Sequence, residues 1–168
     1  MPEVSHDALA VHLFIPSQLS LNHHWNSDVV LYVWAVLPLL ADWIFSIAYM
    51  LGGETASRLF NVGFAFIICG IAYQLVLWGR GSKAGAKWVM LIILSTPLTY
   101  TESSALFADV IWTAFVISGV FVVLYASSND KSARLYIPVS GLLLGFALAS
   151  KLITVMVFPA LLCILVFK

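Results

Sequence analysis

The sequence predicts an all-α, polytopic membrane protein with about five transmembrane helices. Hydrophobic residues make up 62% of the chain and charged residues only 10%, whereas charged residues form about 25% of an average soluble domain. Apolar stretches of helical length follow one another along the chain, and short polar turns separate them. These stretches cover residues 56–78, 88–100, 105–126, 135–150 and 152–167.

Charge and motifs exclude several classes of function. The chain has 8 basic and 8 acidic residues and no net charge, so it offers no general basic surface for nucleic acid. Its Cys and His residues lack the spacing of a zinc site, and the sequence contains no P-loop, nucleophile elbow or dinucleotide-binding motif. Function is therefore sought in single ionisable side chains beside the apolar stretches, where such groups are costly to place.

Residues 1–55 are predicted to form an extracytoplasmic loop with interfacial helices. Residues 1–30 mix polar and apolar side chains without a stretch long enough to cross a bilayer, so they are expected to lie on its surface. Pro16 is expected to end a short helix or to begin the next one. Gly52 and Gly53 predict a turn before the first span.

The stretch 29–51 is open to two interpretations. As one helix it would reach about 35 Å, which is enough to cross a bilayer. However, Pro38 and Asp42 lie in its middle, and an aspartate at the bilayer centre costs roughly 2.5–3.5 kcal/mol on insertion scales. Its aromatic residues are spread along it rather than gathered at the two interfaces. We favour broken or interfacial helices over a crossing helix.

Residues 56–168 are predicted to form the transmembrane bundle, as an incomplete part of a longer protein. Pro97 is expected near the end of a short span, and Pro159 inside another, as a membrane bundle tolerates. In chain order the predicted elements are the span 56–78, the basic turn 79–87, the short span 88–100, the acidic loop 100–109, the span 105–126, the polar turn 127–134, and the spans 135–150 and 152–167.

Basic residues in the short turns predict the orientation of the bundle. The turns 79–87 and 127–134 hold five of the eight Lys and Arg residues, so both are expected to be cytoplasmic. The loop 100–109 and the turn at Lys151 are then extracytoplasmic, which places Asp109 and Lys151 on one side. Asp7 joins them only if the stretch 29–51 does not cross the membrane.

Five ionisable side chains are candidates for chemistry, although each also has a structural explanation. Asp7 and Glu102 suit solvated loop charges, Asp109 a helix cap, Lys151 a snorkelling side chain and Arg58 an interface anchor. Lys151 has no charged neighbour in sequence, which favours an anion such as phosphate, and Arg58 is a candidate second phosphate contact.

A polyprenyl-phosphate sugar carries its own leaving group. Its transfer needs a base for the acceptor hydroxyl and cations for the phosphate, but not the acid of glycoside hydrolysis.

Four stretches of the chain resemble, in the same order, sequence patterns of one protein family. Residues 7–16 resemble an Asp followed by Tyr-His-Leu and Pro, and residues 51–59 resemble a Gly-Gly…Ala-Arg-Leu entry to a span. Residues 96–109 resemble a loop that ends in Tyr-Val-Asp, and residues 141–151 resemble Gly-Leu-x-x-Gly-x-Ala-x-Gly-Thr-Lys. The chain thus resembles the N-terminal half of the GT-C membrane glycosyltransferases of the family 39 type. That type includes dolichyl-phosphate-mannose–protein mannosyltransferases and bacterial 4-amino-4-deoxy-L-arabinose transferase relatives.

The resemblance implies roles for individual residues. Asp7 matches the catalytic base of the first loop, Asp109 the acidic residue of the second loop, and Lys151 the lysine near the lipid-phosphate donor. His12, within the first pattern, joins Glu102 and Arg58 as a candidate substrate contact. The chain departs from the patterns at a few places, which are Val11, Phe107-Ala108 and Ala149-Ser150.

The expected function is transfer of a sugar, with inversion, from a polyprenyl-phosphate donor to an acceptor hydroxyl on a protein or lipid. The active site would face the extracytoplasmic side of a bacterial plasma membrane or of the endoplasmic reticulum. Membrane lipids are expected partners and nucleic acid is not; no metal ligands are predicted, and a requirement for a divalent metal is left open. The alternatives are a transporter or channel with Asp42, Asp109 and Lys151 along a polar pathway, and a non-catalytic scaffold. The present stretch alone is expected to be inactive.

Overall fold

A computed structural model of the chain describes residues 6–24, 30, 32, 37–128 and 130–166. The all-α prediction is confirmed, since this part of the chain is helical and contains no strand. After a π-helical turn at Ala8–His12, the helices are α1 (Phe14–Asn22), α2 (Leu40–Trp78), α3 (Lys83–Ser95), α4 (Pro97–Ser104), α5 (Ala108–Ser128) and α6 (Asp130–Ser150), followed by a 3₁₀ helix (Leu152–Met156) and α7 (Val157–Val166).

Two of the described helices, α2 and α5, are long and apolar enough to cross a membrane. The apolar helices over 134–150 and 152–163 are shorter, and α3 has 13 residues, which reach about 20 Å. The hydrocarbon core of a bilayer is about 30 Å thick. The helices α2 and α5 thus support membrane association.

A kink at Gly52 and Gly53 divides α2 into residues 40–51 and 54–78. The hydroxyl of Ser57 donates to the backbone carbonyl of Phe45 at 3.0 Å, although a straight helix would separate these residues by about 18 Å. The chain therefore folds back sharply at the kink. Residues 40–51 alone reach about 18 Å, too short for a bilayer core. Residues 37–53 thus match the broken-helix interpretation; residues 29, 31 and 33–36 lie outside the described part.

Three predicted connections are shorter than expected. The basic turn 79–87 keeps only residues 79–82 as a connection, because α3 begins at Lys83. The acidic loop 100–109 was predicted without a helix, but α4 covers its first half and leaves only residues 105–107 between α4 and α5. Thr96 is extended before Pro97, because a proline disfavours helical geometry in the residue before it. The polar turn 127–134 is also largely helical, since α5 ends at Ser128 and α6 begins at Asp130.

The core joins the N-terminal segment to the start of α5. Its fully buried side chains are Ala8, Ala41, Phe45, Leu106, Ala108 and Ile111. They come from the π-helical turn, from the first part of α2, from the α4–α5 connection and from the start of α5. Small alanines at three helix surfaces let these segments approach closely, and Phe45 fills the space between them. This packing brings residues near position 10 and residues near position 110 to one place.

Gly53 is the residue that the kink requires. Its φ of 65° and ψ of −158° lie in a region where other residues are strained by about 1–3 kcal/mol. We expect Gly53→Ala to lower the free energy of unfolding by that amount. Gly63→Ala is the matched control, because Gly63 is helical and an added methyl group would meet nothing within 4 Å. Denaturant titration in detergent micelles measures both, and equal effects of the two changes would contradict the assignment.

Candidate functional site

The packing of α5 against α6 sets the first pair of the site. The hydroxyl of Ser140 donates to the carbonyl of Gly119 at 3.1 Å, and a side chain at Gly119 would clash with Leu144. The two helices therefore run antiparallel in close contact, and the start of α5 lies beside the end of α6. There Lys151 Nζ donates to Asp109 Oδ1 at 2.7 Å.

Lys151 is held by a short hydrogen-bonded chain. Its backbone is extended between α6 and the 3₁₀ helix, and its carbonyl accepts a hydrogen bond from the Thr154 hydroxyl at 2.7 Å. That hydroxyl in turn accepts the indole N–H of Trp112 at 2.8 Å. Because Thr154 is fully buried, these bonds fix the turn that presents the ammonium group.

The second pair joins the N-terminal segment to α2. Nδ1 of His12 lies 2.5 Å from Oδ1 of Asp42, and since a carboxylate only accepts, the ring donates this bond. Asp42 is only 2% exposed and lies in the first turn of α2, where the helix dipole favours a negative charge. The pair therefore buries a carboxylate together with its partner.

Asp7 completes the group and is the most open of its carboxylates. Its Oδ2 lies 3.8 Å from Nε2 of His12, and its side chain is 63% exposed. This distance is within ion-pair range but too long for a hydrogen bond. Asp7 thus has a cation nearby and keeps its oxygens available for another partner.

These residues line one cavity of about 500 Å³. Asp7 and His12 come from the N-terminal segment, Asp42 from α2, Asp109 and Trp112 from α5, and Lys151 from the turn after α6. Most of the remaining wall is apolar. The site therefore combines three carboxylates, an ammonium group and an imidazole in a pocket of the size that small-molecule ligands occupy.

The pKa of His12 reflects two opposing influences. Burial lowers it, whereas the hydrogen bond and charge of Asp42, together with the charge of Asp7, raise it by more; Lys151 opposes them. The net shift is upward from the ordinary value. The folded protein therefore keeps the imidazolium form to a higher pH than a free imidazole does.

Two predicted site residues lie outside this cavity. Arg58 donates to Glu54 Oε1 at 2.6 Å and to the Ser104 carbonyl at 3.1 Å, so it ties α2 to the end of α4 and does not line the cavity. Glu102 lines a second cavity of about 310 Å³ whose wall also includes Asp109. Burial raises the pKa of Glu102, the charge of Asp109 adds to that shift, and Lys151 partly offsets it.

The cavity thus brings together four of the predicted site residues, which are Asp7, His12, Asp109 and Lys151. The structure also identifies Asp42 as the partner of His12. From the sequence alone, Asp42 was considered only as part of the polar pathway of a transporter or channel. The structure further adds Trp112 and Thr154, whose apolar sequence surroundings gave no signal. Among the described residues, no group of three or more His, Cys, Asp or Glu side chains is placed to hold a metal ion.

Comparison with protein-family models, with curated proteins and with solved structures finds no match to this chain.

Proposed function

We propose that the protein is a membrane glycosyltransferase that moves a sugar from a polyprenyl-phosphate donor to an acceptor hydroxyl. The proposal rests on one observation: Asp7 and Lys151 line the same cavity. Among the carboxylates of that cavity, Asp7 lies farthest from a cationic partner, which is His12 at 3.8 Å. An available base and an ammonium group are the two groups this reaction needs. The resemblance in the four sequence stretches supports the same reaction.

Lys151 is assigned to the donor phosphate. Before the donor binds, Asp109 holds the ammonium group at 2.7 Å, and both side chains remain partly exposed, so a phosphate oxygen can approach. As the bond between the anomeric carbon and the phosphate oxygen breaks, negative charge grows on the phosphate. A fixed cation beside the departing phosphate stabilises that charge. Lys151 therefore acts on the leaving group and Asp109 keeps Lys151 in place.

Asp7 is assigned to the acceptor. Its carboxylate takes the proton of the acceptor hydroxyl as that oxygen attacks the anomeric carbon from the face opposite the phosphate. One bond forms and one breaks in a single displacement, so the configuration of the sugar inverts. The phosphate departs with its own negative charge, and no protein acid has to protonate it.

The membrane arrangement belongs to the same proposal. We propose about five spans, with the turns 79–87 and 127–134 on the cytoplasmic side. The cavity then lies on the extracytoplasmic side. The helices α2 and α5 supply two of the spans. The helix α3, the helix α6, and α7 with the 3₁₀ helix before it are proposed as the other three, with flanking aromatic and basic residues making up for their short length. The acceptor would reach the cavity from the water and the lipid donor from the bilayer.

A transporter remains the second candidate, because Asp42, Asp109 and Lys151 do line one cavity. Two features favour the enzyme. Asp42 is buried against His12, so it offers no open surface to a passing solute. Asp109 lies in the first turn of α5 and Lys151 directly after the last turn of α6, so the charges gather at helix ends and not along a path through the bundle.

Sugar transfer by the complete protein, this chain together with any further segments, tests the proposal. The protein is placed in lipid nanodiscs and given dolichyl- and undecaprenyl-phosphate sugars with a radiolabelled sugar, together with extracted membrane lipids and unfolded polypeptide as acceptors. We expect label in an acceptor fraction and an equal amount of free polyprenyl phosphate. A chain that consumes no donor, and instead passes labelled solutes through liposomes, contradicts the enzyme and supports the transporter.

A further inference from the structure

Asp42 is a charged side chain buried in an otherwise apolar stretch. Its neighbours in the first part of α2 include Ala41 and Phe45, which are both fully buried. A buried carboxylate without a partner is costly, and a simple apolar residue would pack here without that cost. The residue therefore needs an explanation beyond packing, and its contact with His12 offers one.

The ring of His12 is held from two sides. Asp42 accepts the bond from Nδ1 at 2.5 Å, and Phe45, one turn further along α2, meets the ring edge-on with centroids 6.2 Å apart and an interplanar angle of 69°. One hydrogen bond together with one aromatic contact restricts rotation of the imidazole. Because Nδ1 is occupied, Nε2 is the nitrogen that faces Asp7, at 3.8 Å from Oδ2.

We propose that Asp42 is a positioning residue of this site: by holding Nδ1 of His12, it directs Nε2 at the Asp7 carboxylate and so orients that carboxylate in the cavity. Asp42 itself does not touch the substrates. The catalytic meaning of this arrangement rests on the proposed role of Asp7 as the base. The geometric part, an imidazole that is hydrogen-bonded to Asp42 and within ion-pair range of Asp7, stands without it.

The charged groups that face His12 come from three segments. Asp7 precedes it in the N-terminal segment, Asp42 belongs to α2, and Lys151 lies in the turn after α6. The two carboxylates favour the imidazolium and the ammonium group opposes it. Because the pKa of His12 is raised in the folded state, the associated stability is fully present below the unfolded value of about 6.5 and is lost as the pH rises through the folded value.

Nuclear magnetic resonance of the full chain with ¹³C,¹⁵N-labelled histidine tests the proposal. The signals of His12 are assigned by loss in His12→Gln, and the exposed His6, His23 and His24 serve as internal references. In the unmodified protein we expect the midpoint of His12 to lie above the ordinary value of about 6.5, with Nδ1 carrying a proton. A neutral His12 ring whose Nδ1 carries no proton overturns the proposal without any variant, because Nδ1 then cannot donate to Asp42.

Asp42→Asn then removes the charge and keeps the shape. We expect the His12 midpoint to fall by about 1–3 pH units, as for loss of an adjacent opposite charge. Asp109→Asn is the matched control, because Asp109 lines the same cavity but pairs with Lys151; a much smaller shift is expected there. Equal shifts in the two variants overturn the proposal.

Transfer kinetics separate this inference from the proposed function. Asp42→Asn is expected to lower kcat and to move the pH profile, with little change in KM for the donor, since Asp42 acts on Asp7 and not on the phosphate. A shifted His12 with unchanged kcat and pH profile overturns the positioning role. If the unmodified protein transfers no sugar but His12 titrates as expected, the proposed function fails while the geometric part of the inference stands.

Discussion

Asp7→Asn is expected to abolish sugar transfer, lowering kcat by about 10²–10⁴-fold, the contribution of a well-placed general base. The amide has the shape of the carboxylate but cannot take a proton from the acceptor hydroxyl. Because the Asp7 side chain is 63% exposed, the fold should lose no more than about 0.5 kcal/mol. The measurement is kcat for release of polyprenyl phosphate by the complete protein in nanodiscs.

His6→Asn is the matched control for this variant. His6 is the exposed residue directly before Asp7, and it does not line the cavity. We expect it to change kcat by less than about twofold, as exposed substitutions away from a site do. Circular dichroism and thermal unfolding of both variants establish that each one folds. An Asp7→Asn protein that folds and retains its turnover removes Asp7 from the role of base.

The convergence of Asp109 and Lys151 was accessible to sequence reasoning. Basic turns at 79–87 and 127–134 imply that the chain crosses the membrane twice between them, and this places the two residues on one side. The structure joins them at 2.7 Å because α5 and α6 have 21 residues each and a very short connection. Two antiparallel helices of equal length necessarily bring the start of the first to the end of the second.

The break at Gly52 and Gly53 was also predictable, since adjacent glycines interrupt a helix. The helix α4 was not predicted. Pro97 was interpreted as the end of a span, but proline is also favoured in the first turn of a new helix, and Thr96 before it takes the extended conformation that separates α3 from α4. Because a proline such as Pro97 can follow the end of one helix or begin the next, only the tertiary packing decides which of the two occurs.

The pair of His12 and Asp42 had no sequence signal. The two residues are 30 positions apart, and Asp42 lies within an apolar stretch that favours interpretation as a span or an interfacial helix. Only the packing of Ala8, Ala41 and Phe45 in one core brings the π-helical turn against α2. The individual ionisable residues could be selected from the sequence, whereas their partners depend on which apolar surfaces meet.

Lys151→Met is expected to give the second large loss. Methionine keeps the aliphatic length but removes the charge that stabilises the departing phosphate, so kcat should fall by about 10²–10³-fold and KM for the donor should rise. Lys151→Arg keeps a positive charge with a different geometry, and partial activity is expected. If Lys151→Met retains kcat and KM within about twofold of the unmodified protein, Lys151 is not the phosphate contact.

Removal of Lys151 also leaves the carboxylate of Asp109 without its cation in the cavity. That negative charge would repel the donor phosphate, so part of the loss in Lys151→Met comes from Asp109. The double variant Asp109→Asn with Lys151→Met should therefore be more active than Lys151→Met alone. The double-mutant cycle should give a coupling energy of about 0.5–3 kcal/mol between the two residues. Strictly additive effects in this double-mutant cycle would mean that the ion pair at 2.7 Å has no part in binding the donor.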